Sequence, residues 1–203
     1  MQNQILTSNF ESTVFDLLKN YDTKEFNLMI SGGSLLKCFS EERYLALDTS
    51  KWNVFFADER CNKDFLNFQD AKEFLKQIKG KVFEIKIMDS LEESVKRYSE
   101  ILSKEGKSID LCLLGVGENG HICSLWPESK SLETKELVEL VTVDCSSSPK
   151  RITVTLAFIN KCVKRLFFVI PPRNGIPKKV KEPHPSIKEK LKIKFTVILP
   201  ENK

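Results

Sequence analysis

This 203-residue chain has few histidines and no long apolar run, and each of these features bears on function. The chain has two histidines and six scattered cysteines without a C-x-x-C pair, so we expect no metal site and reduced thiols. No run of about 18 apolar residues occurs, so we expect no transmembrane helix. Residues 1–4 lack the basic and apolar segments of a signal peptide, and we therefore expect a cytoplasmic protein.

Charge is distributed unevenly along the chain. The net charge of +4 divides into +11 for residues 150–203 and −7 for residues 1–149. A basic last quarter favours a nucleic acid, an anionic membrane or a phosphorylated small molecule as partner. Arg151 and Lys150 either face one anion or belong to a charged surface loop. Aromatic and basic residues do not interleave in residues 171–194, so we expect a small phosphorylated ligand, with no nucleic acid and no membrane.

Strand-like apolar runs alternate with helical patterns along the chain. The predicted strands are 25–30, 52–57, 82–87, 109–114, 137–143, 152–155, 166–170 and 192–199. The predicted helices are 10–20, 67–79 with Asn67 as N-cap, 90–103, a short link at 157–163 and a helix after Ser34. This alternation predicts an α/β fold, with a doubly wound, mostly parallel sheet and helices on both faces. We expect one domain over 1–203, in which the proline- and lysine-rich segment 171–191 is an irregular surface excursion.

Three polar or glycine-rich loops each follow an apolar strand. They are Ser31-Gly32-Gly33-Ser34, Asp58-Glu59-Arg60 and the loop 115–121. Ligands of open α/β sheets bind beyond the carboxyl ends of the strands, so we expect all three loops at one edge of the sheet. Their convergence indicates a binding site more strongly than any one of the loops does.

The first two loops have the residue types of a phosphate site. Gly32 and Gly33 let the backbone approach an anion closely before Ser34, although a tight turn would also use them. Arg60 can clamp phosphate with its guanidinium, and Asp58 can hold Arg60 or a sugar hydroxyl. The alternative for this second loop is a surface ion pair.

The loop 115–121 (GVGENGH) formally matches G-x-G-x-x-G, but no helix opens from it and a dinucleotide site is not expected. Its glycines, Gly117 among them, can thread the backbone around a small substrate and present His121. Histidine exchanges a proton most readily near neutral pH. Pairing of Cys123 with His121 as a nucleophile is a weaker alternative.

These pieces together resemble the 6-phosphogluconolactonase family. The resemblance rests on SGGS (31–34), the strand with DER (55–60), DLCLLGVGENGHICSLWP (110–127) and RITVTLAFIN (151–160). It implies a doubly wound α/β fold, hydrolysis of 6-phosphoglucono-1,5-lactone to 6-phosphogluconate, and neither metal nor cofactor. It also implies His121 as the catalytic residue, with substrate contacts at Gly32, Gly33, Ser34, Arg60 and Arg151, and it aligns Lys178 with a late lysine of the family. We expect backbone amides of the 115–120 loop to hold the oxyanion, and we expect a monomer.

The chain departs from the family pattern in three places. Asn119 replaces the usual Asp beside the histidine, and an amide cannot raise the basicity of the imidazole as a carboxylate can. The loop after Arg60 is short, and the helix that should follow Gly175-x-x-Lys178 is largely missing. The alternatives are therefore a glucosamine-6-phosphate deaminase or isomerase, for which loss of the carboxylate is unfavourable, and a sugar-phosphate-binding protein without catalysis.

Overall fold

A seven-stranded parallel sheet is the centre of the fold. The structure is a computed structural model that describes residues 3–39, 42–62, 64, 66–144, 148–172, 176 and 178–201. The strands in this part of the chain are β1 (Asn3–Thr7), β2 (Phe26–Ile30), β3 (Trp52–Phe56), β4 (Asp58–Arg60), β5 (Lys81–Phe83), β6 (Leu111–Gly115), β7 (Val138–Thr142), β8 (Lys150–Val154), β9 (Leu166–Val169) and β10 (Phe195–Pro200). The central sheet has the order β1-β10-β9-β6-β2-β3-β5, and its neighbouring strands run parallel.

Helices flank the sheet. The α-helices of the described residues are α1 (Phe10–Leu18), α2 (Asn67–Asp70), α3 (Lys72–Leu75), α4 (Leu91–Lys104), α5 (Leu156–Cys162) and α6 (Pro185–Lys188). Short 3-10 helices cover Lys19–Tyr21, Gly33–Phe39, Glu42–Ala46 and Lys130–Leu132. No helix in these ranges combines the length and apolar character needed to cross a bilayer. The predicted α/β class, with a doubly wound and mostly parallel sheet, is confirmed.

Two predicted helices begin where a capping side chain satisfies the first backbone N–H groups. Asn9 accepts a hydrogen bond from the backbone N–H of Ser12 at the start of α1, at 2.8 Å. Ser90 accepts one from Glu93 at the start of α4, at 3.2 Å. Each such cap stabilises a helix by about 1 kcal/mol. The helix predictions at 10–20 and 90–103 are therefore confirmed to within a few residues.

The hydroxyl of Tyr98 ties α4 to the end of β3 and shortens the neighbouring strand. It donates to the carbonyl of Phe56 at 2.5 Å and accepts the N–H of the same residue at 3.1 Å. On its other side β3 is bonded to β2, because the N–H of Ala57 donates to Ile30. Phe56 therefore has no backbone group left for β5, and the predicted strand 82–87 pairs only as far as Phe83.

A second sheet, which the sequence analysis missed, is antiparallel and has the order β4-β8-β7. The Asp58-Glu59-Arg60 segment was predicted as a loop, but it forms the short strand β4 and pairs with β8. The N–H of Val154 donates to Ala57, so the second sheet starts where β3 leaves the first one. Strand β1 at the edge of the central sheet was missed as well, because its five residues are largely exposed and lack an apolar run.

Two helix predictions were wrong in detail. The helix predicted over 67–79 is broken at Ala71 into α2 and α3, and the N-cap position of α2 is Leu66, not Asn67. The carboxylate of Glu59 accepts the N–H groups of Asn67 and Phe68, so a side chain from β4 caps the start of α2. The helix expected after Ser34 is a 3-10 helix over Gly33–Phe39.

The segment 171–191 is not simply a surface excursion. Its described part contains α6 (Pro185–Lys188), and the side chains of Pro183 and Ile187 are buried. Lys188 and Lys190 form ion pairs with Glu182 and Glu133 rather than standing alone in solvent. Proline content made this segment look irregular, because periodicity cannot reveal two isolated buried residues.

Candidate active site

The cleft of interest lies at the point where the central sheet reverses its strand order. After β2 the chain forms β3, the neighbour of β2 on one side. The neighbour on the other side is β6, and after β6 the chain returns to this sheet as β9, on the far side of β6. The loops that leave β2 and β6 therefore diverge, and a crevice opens between the carboxyl ends of these strands. Ser31 spans the crevice floor, since its hydroxyl accepts the N–H of Gly115 at 2.9 Å and its N–H donates to Leu113.

The glycines after β2 are required by their surroundings. Gly33 has a φ of +75°, a left-handed conformation that glycine adopts without strain. A Cβ on Gly32 would lie 1.9 Å from Oδ1 of Asn67, so that only glycine fits there. Both residues line the cleft together with Ser34, as predicted from the SGGS motif.

Asp58 is a buried residue of the cleft lining and joins three segments. Its carboxylate Oδ2 accepts a hydrogen bond from Oγ of Ser124 at 2.7 Å, and its backbone carbonyl accepts one from the side-chain amide of Asn67 at 2.9 Å. Burial raises the pKa of Asp58, opposed by the Ser124 hydrogen bond and by Arg151 and Arg60. Neighbouring Glu59 accepts three backbone N–H groups, and burial raises its pKa to about 7.

The two arginines of the site are cross-strand neighbours. Arg60 of β4 lies directly opposite Arg151 of β8, and both line the cleft. Like charges directly opposite one another in a sheet are destabilising, and an anion between them would relieve the repulsion. Arg60 also reaches the carboxylate of Asp70 at 3.4 Å, and Nε of Arg151 donates to the carbonyl of Ser148. Lys150 does not line the cleft, so the sequence-based idea that it faces the same anion is not supported.

Asn119 fixes the tautomer of His121. Oδ1 of Asn119 lies 3.2 Å from the backbone N–H of His121 and 2.6 Å from its ring Nδ1. The backbone N–H can only donate, which identifies the Asn119 atom as the oxygen acceptor. Nδ1 must then donate to the same oxygen, and Nε2 of the neutral ring is left without a proton. An imidazole in this state can accept a proton at Nε2.

The ring of His121 is held in an enclosed, positively charged environment. It stacks on Trp126 with the ring centroids 4.9 Å apart and the planes 5° apart. On another side it touches Gly117, where a Cβ would lie 2.0 Å from the ring. Burial, together with the charges of Arg151 and Lys178, lowers the pKa of His121 to about 4. The imidazole is therefore neutral at physiological pH.

Lys178 enters the cleft even though the helix expected after it is absent. Its Nζ donates to the carbonyl of Val116 at 3.0 Å and to Oγ of Ser34 at 3.2 Å. The lysine thereby bridges the loops that follow β2 and β6. Gly175, which preceded it in the predicted pattern, lies outside the described residues.

Two other predictions, a Cys123 nucleophile and an oxyanion site at the amides of the 115–120 loop, receive less support from the structure. Cys123 is buried, burial raises its pKa far above the usual thiol range, and no hydrogen bond joins it to His121 in the described part of the chain, so a Cys123–His121 nucleophile pair is not supported. Several amides expected to hold an oxyanion are already engaged: Gly115 donates to Ser31, Gly117 to the carbonyl of His121, and Gly120 to Gly117.

The structure thus brings the predicted residues into one cleft, with Asn119 behind the histidine ring. The residues lining it include Gly32, Gly33, Ser34, Asp58, Arg60, Gly117, His121, Arg151 and Lys178. Asn67, Ser124 and Trp126 were missed. Asn67 and Ser124 act through contacts with residues far away in the sequence, and no local pattern marks such contacts. The position of Trp126, five residues after the histidine, was the one available signal.

Comparison with known proteins agrees with this fold. The family model described as glucosamine-6-phosphate isomerases/6-phosphogluconolactonase matches residues 3–173. The chain therefore belongs to this family of sugar-phosphate enzymes. A probable 6-phosphogluconolactonase of Drosophila melanogaster is 32% identical over 157 residues, which cover 72% of this chain and 64% of that protein. Probable 6-phosphogluconolactonase 1 of Arabidopsis thaliana is 34% identical over 161 residues, which cover 66% and 60%.

The chain thus spans less than two thirds of the length of these curated relatives. Solved structures share its fold over nearly the full length. A 6-phosphogluconolactonase from Shewanella baltica superposes with a TM-score of 0.78 at 21% identity, covering 99% of this chain and 97% of that one. A monomeric glucosamine-6-phosphate deaminase superposes with a TM-score of 0.75 at 18% identity, covering 99% and 98%.

Proposed function

We propose that this protein hydrolyses 6-phosphoglucono-1,5-lactone to 6-phosphogluconate. The observation that carries the proposal is the His121 imidazole, with Nδ1 beside Oδ1 of Asn119, in a cleft lined by three cationic side chains. Membership of the family supports the substrate class, and the relatives named above are probable 6-phosphogluconolactonases. The mechanism needs neither a metal ion nor an organic cofactor.

In the proposed reaction His121 is the general base. Its Nε2 takes a proton from a water molecule as the water oxygen attacks the lactone carbonyl at C1. When the tetrahedral intermediate collapses, the C1–O bond of the ring breaks and the imidazolium returns the proton to the departing ring oxygen. Asn119 holds Nδ1–H throughout, which keeps Nε2 as the atom that exchanges the proton.

The phosphate is proposed to bind the cationic side chains. Arg60 and Arg151 offer two opposed guanidinium groups, and Lys178 adds an ammonium group beside the backbone of the SGGS loop. A phosphate held there would anchor the far end of the sugar and orient C1 against the attacking water. The sugar hydroxyls would meet the polar lining of the cleft, which includes the buried Asp58.

A glucosamine-6-phosphate deaminase is the second candidate, because the family model and the shared fold include such enzymes. Its chemistry removes a proton from carbon and uses a nearby carboxylate, but the residue beside the imidazole is Asn119. The purified protein should therefore consume the lactone and release no ammonia from glucosamine-6-phosphate. Ammonia release without lactone hydrolysis would reverse the assignment, and binding of both sugar phosphates without turnover would indicate a non-catalytic protein.

We further propose that one chain, acting as a monomer, forms the complete site.

Replacing Arg60 by alanine should raise KM for the lactone much more than it lowers kcat. A hydrogen bond to a charged group contributes about 1.5–3 kcal/mol, which predicts a KM roughly 10- to 100-fold higher. Steady-state kinetics would measure the change. Lys150→Ala is the matched control, because it removes one nearby positive charge from the same strand as Arg151 without altering the cleft lining. An equal rise of KM in both variants would show that Arg60 acts only through the general electrostatic field.

The pH dependence of kcat/KM should follow the protonation of His121. A general base works only when neutral, and the pKa of His121 is lowered to about 4 by burial first and by Arg151 and Lys178 next. Activity should therefore stay level as the pH falls from 7 to about 5 and then decline around pH 4. An ordinary exposed histidine would lose activity near pH 6.5. A decline centred there would contradict the enclosed geometry of the ring.

A further inference from the structure

Residues 183–188, which we call the clamp, lie against the loop that carries His121. The backbone N–H of His184 donates to the carbonyl of Gly120 at 3.0 Å. The hydroxyl of Ser186 accepts the backbone N–H of Glu128 at 3.1 Å. The clamp therefore contacts the chain before His121, at Gly120, and after it, at Glu128.

Gly120 is shaped to receive the clamp. Its φ of +83° is left-handed, and a Cβ on it would lie only 2.7 Å from the backbone nitrogen of His184 and 2.9 Å from the Cβ of that residue. The two backbones are thus in direct contact, with no side chain between them. Movement of one segment would be transmitted to the other.

The two contacts bracket the imidazole. Gly120 directly precedes His121, and Glu128 lies two residues after Trp126, on whose ring the imidazole stacks. The clamp therefore holds the backbone that aims the ring and also the segment that supplies its stacking partner.

The clamp is itself anchored in the body of the protein. Ile187 is fully buried in the core. Just beyond it, the carbonyl of Lys190 accepts a hydrogen bond from the amide of Asn160 on α5, and the ammonium of Lys190 pairs with Glu133. The clamp can thus act as a fixed support for the loop.

We propose that the clamp holds the imidazole of His121 in its enclosed, reactive orientation, with His184 and Ser186 as positioning residues. The catalytic consequence rests on the proposed function, but the positioning itself does not. A segment that looks like an irregular excursion in the sequence would then be a working part of the active site.

Two substitutions at one position separate the clamp contact from other effects. His184 has a φ of −55° and a ψ of 146°, which the proline ring allows, so His184→Pro removes the donor to Gly120 and places a ring carbon against the carbonyl oxygen of Gly120, which forces the two segments apart. His184→Ala is the matched control, because both variants lose the imidazole that caps α6 and bonds to Ser186, and only the alanine variant keeps the N–H to Gly120. In both variants His121 is the only imidazole left, so its NMR titration is unambiguous.

We expect His121 in the alanine variant to titrate well below 6.5, because the N–H to Gly120 still holds the loop. In the proline variant the loosened ring gains water, and its pKa should rise toward 6.5. The charged groups that face the ring, Arg151 on β8 and Lys178, are unchanged in both variants. With lactone as substrate, the proline variant should lose about 10- to 100-fold in kcat with little change in KM, as displacement of a catalytic group does.

Equal His121 titration curves in the two variants would overturn the inference. If the proline variant fails to fold by circular dichroism, the double variant H184A/S186A replaces it, since it also retains one imidazole and loses the Glu128 contact. The same rise in pKa is expected there, and its absence would again overturn the inference. A raised pKa in a protein that never hydrolyses lactone would uphold the clamp and reject the proposed function.

Discussion

Replacing His121 by alanine should lower kcat for lactone hydrolysis by about three orders of magnitude, within the roughly 10²–10⁴-fold that a general base contributes. The loss is expected because the neutral ring, held by Asn119 at Nδ1, is the proton acceptor that the proposed reaction uses. KM should change little, since the phosphate contacts come from other segments. The rate must be measured against spontaneous opening of the lactone, which sets the lower limit.

Lys150→Ala is the control for this experiment, because it removes a charged side chain of β8 and leaves the cleft lining unchanged. Circular dichroism should show the same fold for both variants, as the His121 ring packs at the cleft and not in the central core. Turnover close to that of the wild type in the His121→Ala variant would remove this residue from the mechanism.

Replacing Gly117 by alanine should be nearly as damaging as removal of the histidine. The added methyl group would overlap the imidazole, 2.0 Å from its nearest ring atom, so the ring must leave its stacked position on Trp126. Displacement of a catalytic group by about 1 Å can cost 100-fold in rate, and we expect kcat to fall by about that factor. Stability should change little, because the flexible ring can yield.

Gly115→Ala provides the comparison two residues earlier in the same segment. A Cβ at that position would come no closer than 3.7 Å to its nearest neighbour, Oγ of Ser31, which is an ordinary van der Waals contact. The kinetic constants of this variant should stay near those of the wild type. Equal losses in the two variants would mean that glycine matters there for backbone flexibility and not for space beside the ring.

Much of the central fold follows from local patterns. The strands β2, β3, β6 and β9 are short runs dominated by apolar residues, and burial on both faces requires such runs in a parallel sheet. The helices α1 and α4 begin at polar caps that the sequence displays. Elements determined by distant contacts were not predictable: β4 needs β8 as a partner, and the start of α2 is capped by Glu59 of β4.

The candidate site divides in the same way. His121, Arg60 and the SGGS loop follow strands directly, so the rule that ligands bind at the carboxyl edge points to them. The cross-strand pairing of Arg60 with Arg151 and the contact of the clamp with Gly120 join residues far apart in the chain. Periodicity and composition carry no information about such pairs. Only the structure shows that the basic last quarter of the chain places Lys178 and the clamp beside the histidine loop.

The central claim is lactone hydrolysis by a neutral His121, and the direct test is the rate of 6-phosphoglucono-1,5-lactone hydrolysis by the purified protein. We predict a rate well above spontaneous opening, proportional to protein concentration and about three orders of magnitude lower in the His121→Ala variant. A rate equal to spontaneous opening at every protein concentration, from a folded protein, would contradict the account.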